Sequence, residues 1–314
     1  METPKIRISY QVYRVVAVLI IVAVAALFVP RFASSANIYN LTRQIFLLTL
    51  IAYGISLSML VAGLDLSVGS VAALSSCLAA TLISNGNVLL GVAVGLAVGT
   101  FLGFANGFFI AKLKLPDFIM TFSMMYIARG LALTYTQGES IYGFPRSFTW
   151  IGKSFVGPVP MPAIISAIVM ILLFLLMTKT TFGRITYAVG VSKDAAEFSG
   201  LSVPKNLIQI YTLSGFMAGL AGLVYIARFN SADANLGPLW PLDGIAVCVI
   251  GGVTFFGGEG SILGLLLGGI VMAVINNCVN LLGIPPRFQD FFVGFVIILA
   301  VAIDHYTKTR KRKD

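Results

Sequence analysis

Ionisable side chains are scarce in this chain. Charged residues make up 11% of its 314 positions and hydrophobic ones 58%, and there is a single histidine, His305. That histidine sits at the end of the last apolar run. The chain has no Ser/His/Asp or H-E-x-x-H arrangement, so the sequence offers no catalytic residues. Cysteine is equally sparse. Cys77, Cys248 and Cys278 each fall in apolar sequence without a C-x-x-C partner, which argues against zinc and redox motifs and for small packing residues. The 12 acids lie mostly at the ends of apolar runs, which argues against a carrier driven through a midplane carboxylate. A nucleotide loop is missing too. Residues 251–260 are glycine-rich but lack the G-K-[ST] ending. Gly152-Lys153-Ser154 has the ending, but no glycine five residues earlier and no preceding strand. No cofactor or metal is expected.

What the chain has instead is apolar length. Its mean hydropathy is +0.95, a value soluble proteins rarely reach, and several runs approach the ~20 residues that cross a bilayer. The fold class read from this is an all-α polytopic membrane protein, one domain over 1–314 with spans near 12–29, 43–62, 68–84, 88–111, 117–136, 162–178, 206–228, 241–257, 262–282 and 288–304. No A-x-A site follows the first run, so that run is expected to be retained. The net charge of +9 would suggest nucleic acid in a soluble protein. Here the tail 305–314, with its basic run 308–313, is expected beside anionic lipid.

Basic residues collect in cytoplasmic segments. Ten spans with both termini cytoplasmic place 13 Lys/Arg inside: Lys5, Arg7, Lys112, Lys114, four in 179–205 and five in 308–313. Six fall on the other side: Arg31, Arg43, Arg146, Lys153, Arg228 and Arg287. Arg14 and Arg129 fall within spans, and Arg129 needs a carbonyl or an acid as partner. A shift of 170 residues aligns Gly99 with Gly269, Asn106 with Asn276, Pro116 with Pro286 and Phe118 with Phe288. This echo pairs the fourth span with the ninth. An odd number of spans separates the halves, which makes the repeat inverted in the membrane, a common transporter plan.

The longest internal polar stretch is 179–205. Ser192 is placed to cap a short helix, with Asp194 in its first turn and Gly200 as its stop. Ala195, Ala196, Phe198 and Leu201 give that helix a small apolar side. Two readings fit it: a docking element for a soluble partner, and a solvated loop whose basic residues fix topology. The stretch Gly63-Leu64-Asp65-Leu66-Ser67-Val68-Gly69 breaks an apolar region. Asp65 and Ser67 can cap the helix that follows, either as part of a broken helix lining a path or as a satisfied cap at the membrane edge. Asp243 has the same ambiguity. Asn106, Asn276 and Asn277 lie mid-span, where amides either bond neighbouring helices or line a polar path. Gly91, Gly95, Gly99, Gly103 and Gly107 recur every four residues and form one helix face for close packing, as expected of a buried central helix.

Residues 63–70 resemble the G-x-D-L-S-V-G signature of permease subunits of bacterial ABC importers for simple sugars, the ribose, galactose, xylose and galactofuranose group. Phe182-Gly183-Arg184 through Ala195-Ala196 and Ser199-Gly200 resembles the family's cytoplasmic loop. Tyr211 to Gly222, Leu242-Asp243-Gly244-Ile245-Ala246, Gly251-Gly252 and Gly257-Gly258-x-Gly260-Ser261 are similar as well. The likeness covers about 45–304. Leu64 departs from the commoner Ile. The resemblance implies a non-enzymatic, multi-pass subunit of the bacterial inner membrane. It implies a second permease subunit, identical or a sibling, a separate cytoplasmic ATPase and a periplasmic or lipid-anchored sugar-binding protein. It also implies that Gly183, Arg184, Asp194, Ala195, Ala196, Glu197, Ser199 and Gly200 couple to the ATPase. The rival expectations are a branched-chain amino acid or nucleoside permease of the same superfamily, and a secondary carrier. No aromatic–carboxylate cradle for a sugar is legible along the chain, so tight solute binding is not expected.

Overall fold

A backbone with no water beside it must satisfy its own hydrogen bonds, and the apolar runs accordingly fold as helices. The computed structural model describes residues 10–285 together with positions 288, 291, 294, 295 and 298. In order the elements are α1 (Tyr10–Phe28), α2 (Ser35–Leu60), α3 (Val68–Ser84), α4 (Val88–Lys112), α5 (Asp117–Thr136), β1 (Ile141–Tyr142), α6 (Arg146–Lys153), β2 (Phe155–Val156), β3 (Val159–Pro160), α7 (Met161–Lys179), α8 (Thr181–Val191), α9 (Lys193–Phe198), α10 (Val203–Phe229), β4 (Ser231–Ala232), α11 (Trp240–Ile250) and α12 (Ile262–Leu281). The strands are two-residue pieces. β1 pairs antiparallel with β4, Ile141 opposite Ala232, and β2 pairs antiparallel with β3.

Among the described residues six helices, α2, α4, α5, α7, α10 and α12, are long and apolar enough to cross a membrane. α3 is apolar and 17 residues long. The eighth span, expected over 241–257, is a shorter object. α11 ends at Ile250 after 11 residues, and Gly252, Gly257 and Gly258 then take positive φ of 85°, 77° and 74°. Those angles suit glycine and end a helix, so 251–261 runs as an irregular turn. The tenth span at 288–304, apart from isolated positions, lies outside the described residues. So do the tail 305–314 with His305, and Lys5, Arg7, Pro286 and Arg287.

The centre of the bundle is α2 and α10, whose apolar windows are 78% and 72% buried, against 28% for α4 and α5. This corrects the expectation that α4 is a buried central helix. Its five glycines are buried, while Phe101, Phe104, Phe108 and Phe109 face outward. The glycine face lies on α10 and α3. A methyl built on Gly99 would stand 2.5 Å from the Gly215 carbonyl oxygen, and one on Gly91 would stand 2.8 Å from that of Ala79. The two backbones touch because neither carries a side chain there. α4 lies against α3 and α10, α12 lies against α11 and α2, and α2 and α10 lie against each other. α3 also meets α10, as α11 meets α2. Exchanging α2 with α10, α3 with α11 and α4 with α12 leaves this neighbour pattern unchanged.

Candidate functional site

The break between α2 and α3 is a buried polar knot. Asp65 is 2% exposed and Ser67 1%. The carboxylate accepts from the Ser67 backbone N–H at 3.0 Å, from the Ser67 hydroxyl at 2.6 Å and from the Ser214 hydroxyl of α10 at 2.7 Å. The Asn106 amide of α4 donates to Ser67 Oγ at 2.9 Å. Asp117, at the start of α5, accepts from the Leu64 N–H at 2.5 Å, and the Thr121 hydroxyl donates to the Leu64 carbonyl at 3.2 Å. Neither acid nor serine caps α3 as expected. Ser67 stands at the N-cap but makes no side-chain cap bond: its backbone is helical, at φ −81° and ψ −15°, and its oxygen accepts from Asn106 instead. A buried carboxylate needs such donors, and here they tie α3, α4, α5 and α10 to one turn.

The polar stretch 179–205 holds two helices where the sequence pattern indicated one. α8 starts at Thr180, whose hydroxyl accepts from the Gly183 N–H at 3.4 Å. α9 starts at Ser192, whose hydroxyl accepts from the Ala195 N–H at 3.2 Å. Gly200, at φ 79°, follows its end. The supposed apolar side of α9 is split. Ala196 is turned into the chain at 4% exposure, while Phe198 stands 92% exposed. Arg184, Asp194, Ala195, Glu197 and Ser199 are also exposed and Gly183 is buried. The outward group of α9 is therefore Phe198 and not Ala196, and at the end of α8 Val191 is also exposed, at 76%.

The end of α8 meets both other broken segments. A methyl on Gly190 would overlap the Leu60 carbonyl, and one on Gly257 would stand 2.6 Å from the Ala62 nitrogen. The Gly258 N–H donates to the Leu60 carbonyl at 2.9 Å. The Tyr187 hydroxyl donates to the Gly260 carbonyl at 3.1 Å. Three stretches far apart in sequence, around 190, 61 and 258, thus interlock backbone to backbone.

The remaining candidates are spread through the bundle. Asn277 and Asn37 exchange amide bonds at 2.9 and 2.8 Å, and Asn37 also donates to the Phe32 carbonyl at 2.9 Å. Asn276 is 2% exposed. The side-chain oxygens of Asn106 and Asn276, aligned by the 170-residue shift, are both buried without a protein partner. Asp243 is half-buried in the first turn of α11. Arg129 of α5 donates to the carbonyls of Ala234 and Leu236, the latter at 2.8 Å. α5 therefore meets the Asp65 turn at its start and, about two turns before its end, the 233–237 loop through Arg129.

That second loop rims a cavity that linear reading misses. Its volume is about 640 Å³, and its lining combines Tyr225, Phe229 and Trp240 with Ser231, Asp233 and Asn235. An aromatic–carboxylate lining is therefore present, contrary to expectation. Its parts come from the end of α10, the following loop and the start of α11, and only the W-P-L-D segment after a G-P turn hinted at them.

A family profile described as "Branched-chain amino acid transport system / permease component" matches residues 37–301. A ribose import permease protein of Bacillus subtilis is 38% identical over 288 residues, 91% of this chain and 89% of that one. The ribose import permease protein of Escherichia coli K12 is 36% identical, covering 92% of each chain. A galactose/methyl galactoside import permease protein of Haemophilus influenzae is 33% identical, covering 90% of each. No solved structure matches.

Proposed function

The chain belongs to the family of branched-chain amino acid transport system permease components, and within it we propose that the protein is the membrane permease of an ATP-driven importer of simple sugars. The observation that carries this reading is its likeness, over nine-tenths of the chain, to permeases named for ribose and galactose. The amino-acid wording of the family description is thus less specific than the relatives.

In this reading the protein hydrolyses nothing itself. A separate cytoplasmic ATPase docks on α8 and α9, with Phe198, Val191, Arg184, Asp194 and Glu197 as its contacts. The exposure of an aromatic ring on a capped, charged helix supports this, since such patches mark protein interfaces. ATP-driven movement passes from α8 through Gly190 and Gly258 to the Asp65 turn, and from there along α5. A second permease subunit and a sugar-binding protein complete the importer in the bacterial inner membrane. A repeat of α2–α4 in α10–α12 fits this arrangement through the exchangeable neighbours of α2 and α10. Ten spans with cytoplasmic termini and an inverted repeat remain part of the proposal, with the 11-residue α11 entering as a short, broken span.

Proteoliposomes carrying the permease, its ATPase and its binding protein test the reading. ATP-dependent uptake of radiolabelled ribose or galactose is expected. Uptake of leucine or valine without any sugar would overturn it.

A further inference from the structure

The cavity at the α10–α11 turn lies toward the end of α5 opposite the Asp65 knot, and the route just described does not use it. Its size falls within the ~300–1,000 Å³ of small-molecule sites. Its lining is divided by chemistry. Tyr225 sits between the other two rings, 4.4 Å from Phe229 at an interplanar angle of 34° and 5.6 Å from Trp240 at 68°. The polar groups come from the connecting loop, where Ser231, Asp233 and Asn235 alternate.

The loop is tied down by contacts within the chain. Asp233 accepts from the Asn235 N–H at 2.6 Å through one carboxylate oxygen and from the Ser140 hydroxyl at 2.7 Å through the other. Arg129 holds the flanking carbonyls of Ala234 and Leu236. β4 is pinned by β1. Gly237 takes φ 64°, and its Cα lies so close to Trp240 that a methyl there would stand 2.7 Å from the indole ring. Ordering such a site costs little when solute binds. Each Asp233 oxygen keeps spare accepting capacity, since a carboxylate takes about four hydrogen bonds. The Asn235 N–H, and after it the Ser140 hydroxyl, hold the carboxyl below the usual range, so it accepts and does not donate at neutral pH.

We propose that this cavity is a weak docking site for the transported monosaccharide, whose ring lies against the aromatic faces while its hydroxyls donate to Asp233 and exchange bonds with Asn235 and Ser231. The inference rests on the sugar-permease reading. The lining favours a neutral, hydroxyl-rich ring. A zwitterionic amino acid needs a cation for its carboxylate, and Asp233 is the one charged group among the lining residues. The Arg129 guanidinium is engaged by the Ala234 and Leu236 carbonyls, and that of Arg228 lies over the Phe229 ring, 5.1 Å from its centroid. Phe229 is 51% exposed, so the solute stays partly hydrated and binds in the millimolar range.

The chain supplies its own reporter. It has two tryptophans, and Trp150→Phe leaves Trp240 alone at the cavity. The full-length variant in nanodiscs is titrated with ribose, allose, galactose and fructose separately, and with leucine. A saturable fluorescence change with at least one sugar and none with leucine is expected. Asp233→Ala and Phe229→Ala should each weaken it at least tenfold; the second leaves every loop hydrogen bond in place and so covers misfolding of the first. The same two variants should raise the KM of reconstituted sugar uptake. Sugar uptake with no saturable fluorescence response, or with KM unchanged in folded Phe229→Ala, overturns the docking site and leaves the permease reading standing. Leucine uptake with a leucine response and no sugar uptake overturns both.

Discussion

Phe198→Ala tests the junction most directly. The ring is 92% exposed and ends a helix of six residues. Removing it takes almost nothing from the permease, because substitutions at exposed positions cost within about 0.5 kcal/mol. Against a partner the account differs. Fully burying a Phe side chain contributes about 1.5–3 kcal/mol, and every 1.4 kcal/mol is a factor of ten. Affinity for the ATPase should fall about 10- to 150-fold, with the thermal midpoint of the permease unchanged. Ala196→Arg should do the reverse. Ala196 is 4% exposed and sits in the core, so the longer chain costs about 1–3 kcal/mol from overpacking alone, and yield should fall before coupling can be measured. The assay is interferometry of ATPase on nanodisc-held permease, with thermal unfolding of the same samples. Unchanged affinity for Phe198→Ala at matched protein would refute the docking surface. A stable, well-expressed Ala196→Arg would refute the inward placement of that side chain.

Three further outcomes follow from the interior. Gly103→Leu pushes into the Tyr211 carbonyl and the Gly215 backbone, so membrane yield should collapse, and normal yield would show that α4 and α10 do not touch there. Asp65→Ala strands a buried N–H and two hydroxyls at about 1–3 kcal/mol for each group left unsatisfied, whereas Asp65→Asn can still accept from Ser67; thermal unfolding should separate the two by several degrees, and equal stability would argue against the knot. Asn277→Ala breaks an amide pair worth about 0.6–1.7 kcal/mol; stability should drop modestly with uptake retained, and lost uptake at equal protein would make Asn277 part of the solute path.

The sequence shows its helices well and their faces poorly, for a reason peculiar to a lipid solvent. In water an apolar stripe reveals the inward side of a helix. In a bilayer the outside is apolar as well, so hydropathy does not separate Phe101 and Phe104, which face outward, from Leu102, which does not. What remains informative is size and polarity. The glycines at 91, 95, 99, 103 and 107 mark the packed face of α4 because only a missing side chain lets two backbones meet. The amides at 106, 276 and 277 are buried because polar groups turn away from lipid. Local caps are legible too, as at Ser192, because they depend on a few neighbouring residues. Three things are not local and were not legible. Asp65 reads as a helix cap until Ser214, 149 positions away, is seen to supply a donor. Nothing in the sequence around 190 and 258 announces that these glycine backbones lie against Leu60 and Ala62. Ala196 and Phe198 read as one apolar side, yet two positions along a helix turn a side chain by about 200°. The side that Phe198 presents is thus opposite the one that anchors α9, and a helix too short for a periodic stripe offers no way to tell which of the two is free.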